Sequence, residues 1–134
     1  MDWLEKGVGR VGSHHVQVFV PSVDRDGKPI KGGQETWVER CLEVMGLAFG
    51  GATAFPPARG VWRDDDRGGR LIYDDPVIVF SYAQESALTG PAAEQLSTFL
   101  MRLGRDTNQG EVGIFVDGNY YGIQNFEKEK GGTA

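Results

Sequence analysis

A glycine-jointed passage from an apolar helix into a strand constrains this fold more than any other feature. The run Phe49-Gly50-Gly51-Ala52-Thr53 ends a stretch of helical apolar spacing, and Gly60-Val61-Trp62-Arg63 follows as a strand with one tryptophan. Two successive glycines allow positive φ and a close helix exit, as a C-terminal helix cap requires. The passage predicts backbone organisation and carries no chemistry of its own.

Length and composition indicate a single globular domain. The chain has 134 residues, of which 40% are hydrophobic and 25% charged, which is ordinary for a soluble protein of this size. We expect residues 1–13 to form a flexible N-terminal arm, residues 14–124 to form the domain, and residues 125–134 to form a polar tail.

Charge and cysteine content argue against several classes of protein. The net charge of −5 does not suit general phosphate-backbone binding, which requires clustered lysine and arginine. The single cysteine, Cys41, cannot form an internal disulfide, and no apolar run approaches the roughly 20 residues of a membrane helix. The N-terminus also lacks the apolar core of a signal peptide. We therefore expect a cytoplasmic protein that binds neither membranes nor nucleic acid in general.

Hydrophobic periodicity predicts two helices and six strands, in an order that contains β-α-β-β-α-β and an added C-terminal hairpin strand. Apolar residues recur at helical spacing over residues 35–49 and 91–104. Alternation and apolar runs predict strands at residues 15–20, 60–63, 71–73, 77–82, 111–116 and 120–123. The 77–82 run is interpreted as the central strand, and Asp117-Gly118 is a favoured hairpin turn.

This order is typical of an α+β fold of the ferredoxin-like, or split βαβ, type. Such a two-layer sandwich has two helices on one face of a mainly antiparallel sheet, here with an extra C-terminal hairpin strand. The opposite sheet face carries Phe19, Phe80 and Phe115 and must be solvated or covered by a partner. We therefore expect a homodimer, or another homo-oligomer, through that face.

Three motifs that resemble ligand sites are better explained as structure. The glycines at 7, 9 and 12 match a dinucleotide pattern, but no strand precedes them and no helix follows. Residues 22–27 resemble the start of a calcium loop, but Gly33 stands where a bidentate glutamate is required. Residues 64–66, three aspartates, are interpreted as a charged hairpin tip in preference to a magnesium site. We expect no cofactor and no metal.

Arginine and aromatic side chains are the best binding candidates, because they supply bidentate and stacking contacts. Five of them lie on or near the predicted hairpin and the strand after it: Arg59, Trp62, Arg63, Tyr73 and Tyr82. Strand alternation places Trp62 and Arg63 on opposite faces, so only one of them can line a given pocket. Whether Trp62 belongs to the core or to a site stays open.

His14 and His15 are the only histidines, and they are adjacent in the sequence. Neighbouring residues entering a strand point to opposite faces, so the pair is not expected to hold one metal. One of them could act as a base beside a distant carboxylate that the sequence does not identify. A surface histidine without a catalytic role is the simpler interpretation.

The chain resembles small bacterial and phage-associated domains of unknown function. The resemblance is carried by Phe49-Gly50-Gly51-Ala52-Thr53, by Gly60-x-Trp62 and by residues 111–118, and it spans residues 16–123. It implies an α+β fold and supplies no catalytic residues.

Two classes of function remain open. We prefer a non-enzymatic binding or interaction protein of mobile-element origin, which holds a protein partner or a small ligand on the open sheet face or the hairpin. The alternative is a small hydrolase, lyase or isomerase with His14 or His15 as base and Arg59 or Arg63 stabilising an anion. A pocket in which histidine, arginine and carboxylate converge would favour the enzyme.

Overall fold

Three helices and seven strands form within residues 2–126, the part of the chain that the computed structural model describes. The helices are α1 (Asp2–Glu5), α2 (Gln34–Phe49) and α3 (Pro91–Asp106). The strands are β1 (His14–Val20), β2 (Thr53–Ala54), β3 (Gly60–Asp64), β4 (Arg70–Asp74), β5 (Val77–Ala83), β6 (Val112–Val116) and β7 (Asn119–Ile123).

The main sheet has five antiparallel strands in the order β2-β5-β1-β6-β7. β1 is the middle strand, and it pairs with β5 from His14↔Ala83 to Val20↔Val77. β5, predicted to be central, is therefore an interior strand beside the centre. β3 and β4 pair only with each other, so this hairpin forms a second, two-stranded sheet instead of joining the main one.

The core lies between one face of the main sheet and the two long helices. Val18 and Val79 face each other across β1 and β5 and are fully buried, as are Met45 on α2 and Leu103 on α3. Cys41 lies in the same core as a free thiol, and burial raises its pKa to about 12. Since α2 also packs against α3, the predicted α+β two-layer sandwich is confirmed.

The end of α2 confirms the predicted role of the glycine pair and refines it. Gly50 has a φ of 90° in the left-handed region, and its N–H donates to the carbonyl of Gly46 at 2.9 Å. Gly51 does not have positive φ, so one glycine suffices for the cap. The cap redirects the chain into β2, which pairs with the edge of β5.

The N-terminal segment adds little to the packing. Residues 2–13 are exposed throughout and contain α1, and no strand precedes the glycines of the dinucleotide-like pattern. Within residues 2–126, no helix combines the length and apolar character needed to cross a membrane. Most of the predicted polar tail at 125–134 lies outside the described residues, and the predicted division into arm, domain and tail stays a prediction.

Candidate active site

The β3–β4 hairpin covers one end of the sheet face that lies opposite the helices. Trp62 and Ile72 are directly paired on its inner side, and Ile72 is buried. Leu71 and Tyr73 lie on the outer side and are 56% and 71% exposed. Part of the face expected to meet solvent or a partner is thus covered by the chain's own hairpin.

A cavity of about 280 Å³ separates the hairpin from the sheet. The sheet contributes Phe19, Gly113 and Tyr120, and the hairpin contributes Trp62 and Asp74. Glu111, which directly precedes β6, also lines it. We call this space the sheet–hairpin cavity.

Hydrogen bonds from Ser22 fix the base of the hairpin. Asp74 accepts one bond from the Ser22 backbone N–H at 2.8 Å and another from the Ser22 hydroxyl at 2.6 Å. The same hydroxyl accepts a bond from the Asp75 N–H at 2.9 Å. A carboxylate that accepts two bonds from one residue has little rotational freedom. The base of the hairpin is therefore held in a fixed position against the loop that follows β1.

Ion pairs fix the tip of the hairpin to the same loop. Arg67 pairs with Asp26, and Arg70 donates to the carbonyl oxygen of Arg25 at 2.9 Å. The Arg67 guanidinium is the main cause that lowers the pKa of Asp26, and Asn108 also donates to this carboxylate at 3.1 Å. The hairpin is therefore held at both ends.

A pair of glycines makes room for the polar floor of the cavity. Gly113 and Gly122 are opposite each other on β6 and β7. A Cβ on Gly113 would lie 2.8 Å from the Tyr120 ring, and a Cβ on Gly122 would collide with the Glu111 carboxylate. Only glycine at both positions lets these two side chains lie flat across the sheet.

Glu111 is held by two donors on β7 and the segment after it. The Tyr120 hydroxyl donates to one carboxylate oxygen at 2.6 Å, and the Gln124 amide donates to the other at 2.8 Å. Burial, and then the hydrogen bond to Glu111, raise the pKa of Tyr120, so this phenol stays protonated and keeps donating at neutral pH. The carboxylate is thus positioned before any ligand binds.

The sheet–hairpin cavity is suited to a ligand with a flat body and a positive charge. Its lining combines the rings of Phe19, Trp62 and Tyr120 with the carboxylates of Asp74 and Glu111. Aromatic faces and carboxylates both attract cations, and rings also stack on planar heterocycles. No arginine is among the described residues that line it, so the expected anion-stabilising arginine is not found here.

The sequence-predicted binding residues are divided among several places. Trp62 lines the sheet–hairpin cavity, whereas Arg59 and Tyr73 line an open groove elsewhere on the hairpin. Arg63 is exposed, pairs with Asp65 and lines a third cavity near the tip. Tyr82 lies on β5 beyond the hairpin, so the structure does not gather these residues into one site.

The histidines do not line the sheet–hairpin cavity, the open groove or the cavity near the tip. His14 Nδ1 is 2.6 Å from the Asp117 carboxylate, which is the distant partner that the sequence could not identify. The other Asp117 oxygen accepts the His15 N–H at 2.8 Å, and the His15 ring stacks on Tyr82. Neither histidine meets an arginine in a pocket, so the arrangement expected for a histidine base is not formed by the described residues.

The carboxylate of Asp24 in the calcium-like motif has structural partners, and the aspartates of the magnesium-like motif lie beside arginines. Asp24 accepts N–H bonds from Asp26 and Lys28, which closes the turn around Gly27. Asp64 is buried at the hairpin tip near Arg25. Among residues 2–126, no group of three or more potential ligands is arranged to hold a metal ion.

Sequence reasoning placed Phe19 on the open sheet face but missed most of the other residues that line the sheet–hairpin cavity, including Asp74, Glu111 and Tyr120. Alternation alone places Glu111 and Gly113 on one face of β6, so this signal was available. The contact of Asp74 with Ser22 joins residues 52 positions apart, and no local pattern indicates it.

Comparison with known proteins relates the fold to an enzyme. No protein-family model matches the chain, and no curated protein matches it. A phage SAM lyase in complex with S-methyl-5′-thioadenosine has a TM-score of 0.61 at 14% identity, covering 92% of this chain and all of that one. A phage SAM lyase in the apo state has a TM-score of 0.59 at 19% identity, covering 91% of this chain and 98% of that one. At these identities the likeness shows a shared fold.

These neighbours correct the preferred function. The expectation of a non-enzymatic binding or interaction protein is wrong, because both solved structures that share the fold over nearly the whole chain are of a lyase. The alternative, a small enzyme, replaces it as the function to be tested. The histidine base and the anion-stabilising arginine that were expected for such an enzyme are not among the residues that line the sheet–hairpin cavity.

The His14–Asp117 pair predicts a pH dependence of stability. The hydrogen bond to Asp117 raises the pKa of His14, so the pair stabilises the fold fully below the ordinary histidine value of about 6.5. This contribution is lost as the pH rises through the higher folded-state pKa. In an NMR titration, Asp117→Asn should lower the His14 midpoint, whereas the distant control Asp106→Asn should leave it unchanged. An unchanged midpoint in Asp117→Asn would contradict the assignment.

Gly122→Ala should displace the Glu111 carboxylate, because the new methyl group occupies its place. Because the displaced group is the end of a flexible side chain, we expect only the loss of its hydrogen bonds to Tyr120 and Gln124, about 1 kcal/mol in the free energy of unfolding. Gly51→Ala is the matched control, since its added Cβ meets nothing within 4 Å and its φ is not positive. Urea denaturation compares the two variants. Equal stability of both would show that Glu111 can move aside at no cost.

Proposed function

We propose that the protein is a lyase that cleaves S-adenosylmethionine (SAM) and releases S-methyl-5′-thioadenosine. The observation that carries this proposal is the sheet–hairpin cavity, in which aromatic rings and two carboxylates line one space. The fold shared with a phage SAM lyase, one form of which binds S-methyl-5′-thioadenosine, supports the choice of substrate.

The lining of the cavity matches the charge of this substrate. SAM carries a positive sulfonium centre between a planar adenosyl group and an amino-acid group. Trp62 and Tyr120 offer rings on which adenine can stack, and Glu111 offers a fixed negative charge for the sulfonium. Attraction between such charges is stronger in a cavity than in bulk water.

The reaction requires cleavage of one bond. The bond between the sulfonium sulfur and the four-carbon amino-acid fragment breaks, and its electron pair goes to the sulfur, which leaves as a neutral thioether. The fragment, which lacks that pair, either forms a bond to its own carboxylate oxygen, which gives a lactone, or loses a proton from the adjacent carbon to a carboxylate or to water, which leaves a carbon–carbon double bond. A thioether leaves without being protonated, so departure of S-methyl-5′-thioadenosine requires no general acid.

This chemistry explains why the cavity contains carboxylates and no histidine. Glu111 would hold the sulfonium, and Tyr120 and Gln124 would act as positioning residues that orient its carboxylate. Electrostatic groups fixed before the reaction contribute most where water is excluded. Asp74 adds a second negative charge, which Ser22 keeps in place.

Two earlier expectations are kept as proposals that the reaction does not require. Association of copies through the uncovered part of the sheet face is supported by Phe55 and Tyr82, which are 47% and 54% exposed there. A cytoplasmic location of a phage-related protein is supported by the single cysteine and by the phage origin of the fold neighbours.

Purified protein incubated with SAM should form S-methyl-5′-thioadenosine, which liquid chromatography with mass spectrometry quantifies. Glu111→Gln keeps the size of the side chain and removes its charge, so we expect kcat/KM to fall by about 100-fold. Glu39→Gln, an exposed change on α2, should leave the rate unchanged. Chromatography against a lactone and an unsaturated amino acid standard identifies the second product.

Two results would contradict the proposal. One is the absence of S-methyl-5′-thioadenosine from reactions of the folded wild-type protein. The other is a Glu111→Gln variant that turns over as fast as the Glu39→Gln control.

A further inference from the structure

A second cavity of about 200 Å³ adjoins the sheet–hairpin cavity at the hairpin tip. Trp62 and Glu111 line both spaces, so the two meet at these side chains. The second cavity is otherwise distinguished by charge, since two arginines and three aspartates line it: Arg25, Arg63, Asp64, Asp65 and Asp66. We call it the tip cavity.

Asp64 has an unsatisfied carboxylate oxygen in the tip cavity. The residue is only 2% exposed, and its Oδ2 atom has no hydrogen-bond donor. The nearest guanidinium nitrogens are 3.7 Å from Oδ1, on Arg25, and 3.9 Å from Oδ2, on Arg67. These distances allow attraction but are too long for hydrogen bonds. A buried acceptor without a donor is costly and needs a ligand or another explanation.

Arg25, which lines the same cavity, has a hydrogen-bond donor without an acceptor. Its Nε atom is buried and has no acceptor, and among residues 2–126 it and Asp64 Oδ2 are the two buried side-chain atoms that lack a hydrogen-bond partner. The Arg25 backbone is fixed by bonds to Asn108 and from Arg70, while the Asp64 carbonyl accepts the Gly69 N–H. The backbones of both residues are therefore anchored, and the nearest polar atoms of their side chains are 3.7 Å apart, too far for a hydrogen bond.

An unpaired acceptor beside an unpaired donor matches a ligand that has one group of each kind. An ammonium group would donate to Asp64, and a carboxylate would accept from Arg25. A bare metal ion is a poorer match, because the Arg25 guanidinium repels it and the described residues form no metal-ligand group. The chemistry therefore favours a zwitterion.

We propose that the tip cavity binds the α-ammonium and α-carboxylate groups of the substrate amino acid. This inference rests on the proposed function and extends it to the second half of the substrate. With adenosine in the sheet–hairpin cavity and the amino acid in the tip cavity, the sulfonium would lie at their junction, beside Trp62 and Glu111. Arg25 and Asp64 then determine specificity for a substrate that carries an amino acid.

The test compares two thioethers whose sulfur is uncharged and which the reaction does not cleave. S-adenosylhomocysteine carries the amino acid on its sulfur, and S-methyl-5′-thioadenosine carries a methyl group instead. Isothermal titration calorimetry of the wild-type protein should give at least tenfold tighter binding of S-adenosylhomocysteine. Arg25→Met and Asp64→Asn should each remove that preference and change the Kd for S-methyl-5′-thioadenosine by less than twofold.

Arg59→Met is the matched control, because Arg59 lines the open groove and touches neither cavity. It should keep the wild-type preference. Equal binding of the two ligands by wild-type protein would overturn the inference while leaving the proposed function intact. Equal weakening of both ligands in the variants would also overturn it, since it would indicate a structural role. If Asp64→Asn does not fold, the wild-type comparison and Arg25→Met decide the question.

Failure of the proposed function has a different signature. In that case wild-type protein binds neither thioether and does not cleave SAM. Both the proposed function and the proposed role of the tip cavity would then be wrong.

Discussion

The hydrogen bonds between Asp74 and Ser22 are the contact on which the cavity architecture depends. The β3–β4 hairpin forms no backbone ladder with the main sheet, so side chains must hold it in place. Asp74 accepts both Ser22 donors at the base of the hairpin, while Arg67 and Asp26 join its tip to the same loop. Without these contacts the hairpin would not enclose a space above the sheet.

The polar floor of the sheet–hairpin cavity depends on two glycines in the strands below it. Gly113 and Gly122 have no side chains to pack in the middle of the β6–β7 pair, and their absence weakens the sheet locally. In return, Tyr120 and Glu111 lie flat on the sheet and form a fixed phenol–carboxylate pair. A negative charge held in this way requires little reorganisation when a cation binds, which is the property a site for a sulfonium needs.

Much of the fold could be predicted from the sequence, because its signals are local. The alternating valines of β1, the apolar stripe of α3 and the Gly50 cap depend on neighbours a few residues away. The position of the β3–β4 hairpin was not predictable in the same way. It depends on Ser22 and Asp74, whose meeting is set by tertiary structure and leaves no periodic trace.

The candidate site shows the same division between local and distant signals. Trp62 was recognised from its residue type and its place on a strand, and it lines the cavity. Glu111 was overlooked because alternation shows which face it shares with Gly113 but not which side chains hold its carboxylate. Its importance comes from Tyr120 and Gln124, which the β6–β7 hairpin brings beside it. The histidines were predicted as candidates from their residue type alone, and the fold places His14 beside Asp117 instead of in the cavity.

The most direct measurement is a crystal structure of the protein with S-methyl-5′-thioadenosine bound. The ligand should lie between the hairpin and the main sheet, with its adenine against Trp62 and its sulfur beside Glu111. Its methyl group should face the tip cavity, where Arg25 and Asp64 lie. A ligand bound instead in the open groove beside Arg59 and Tyr73, or next to His14, would contradict the account.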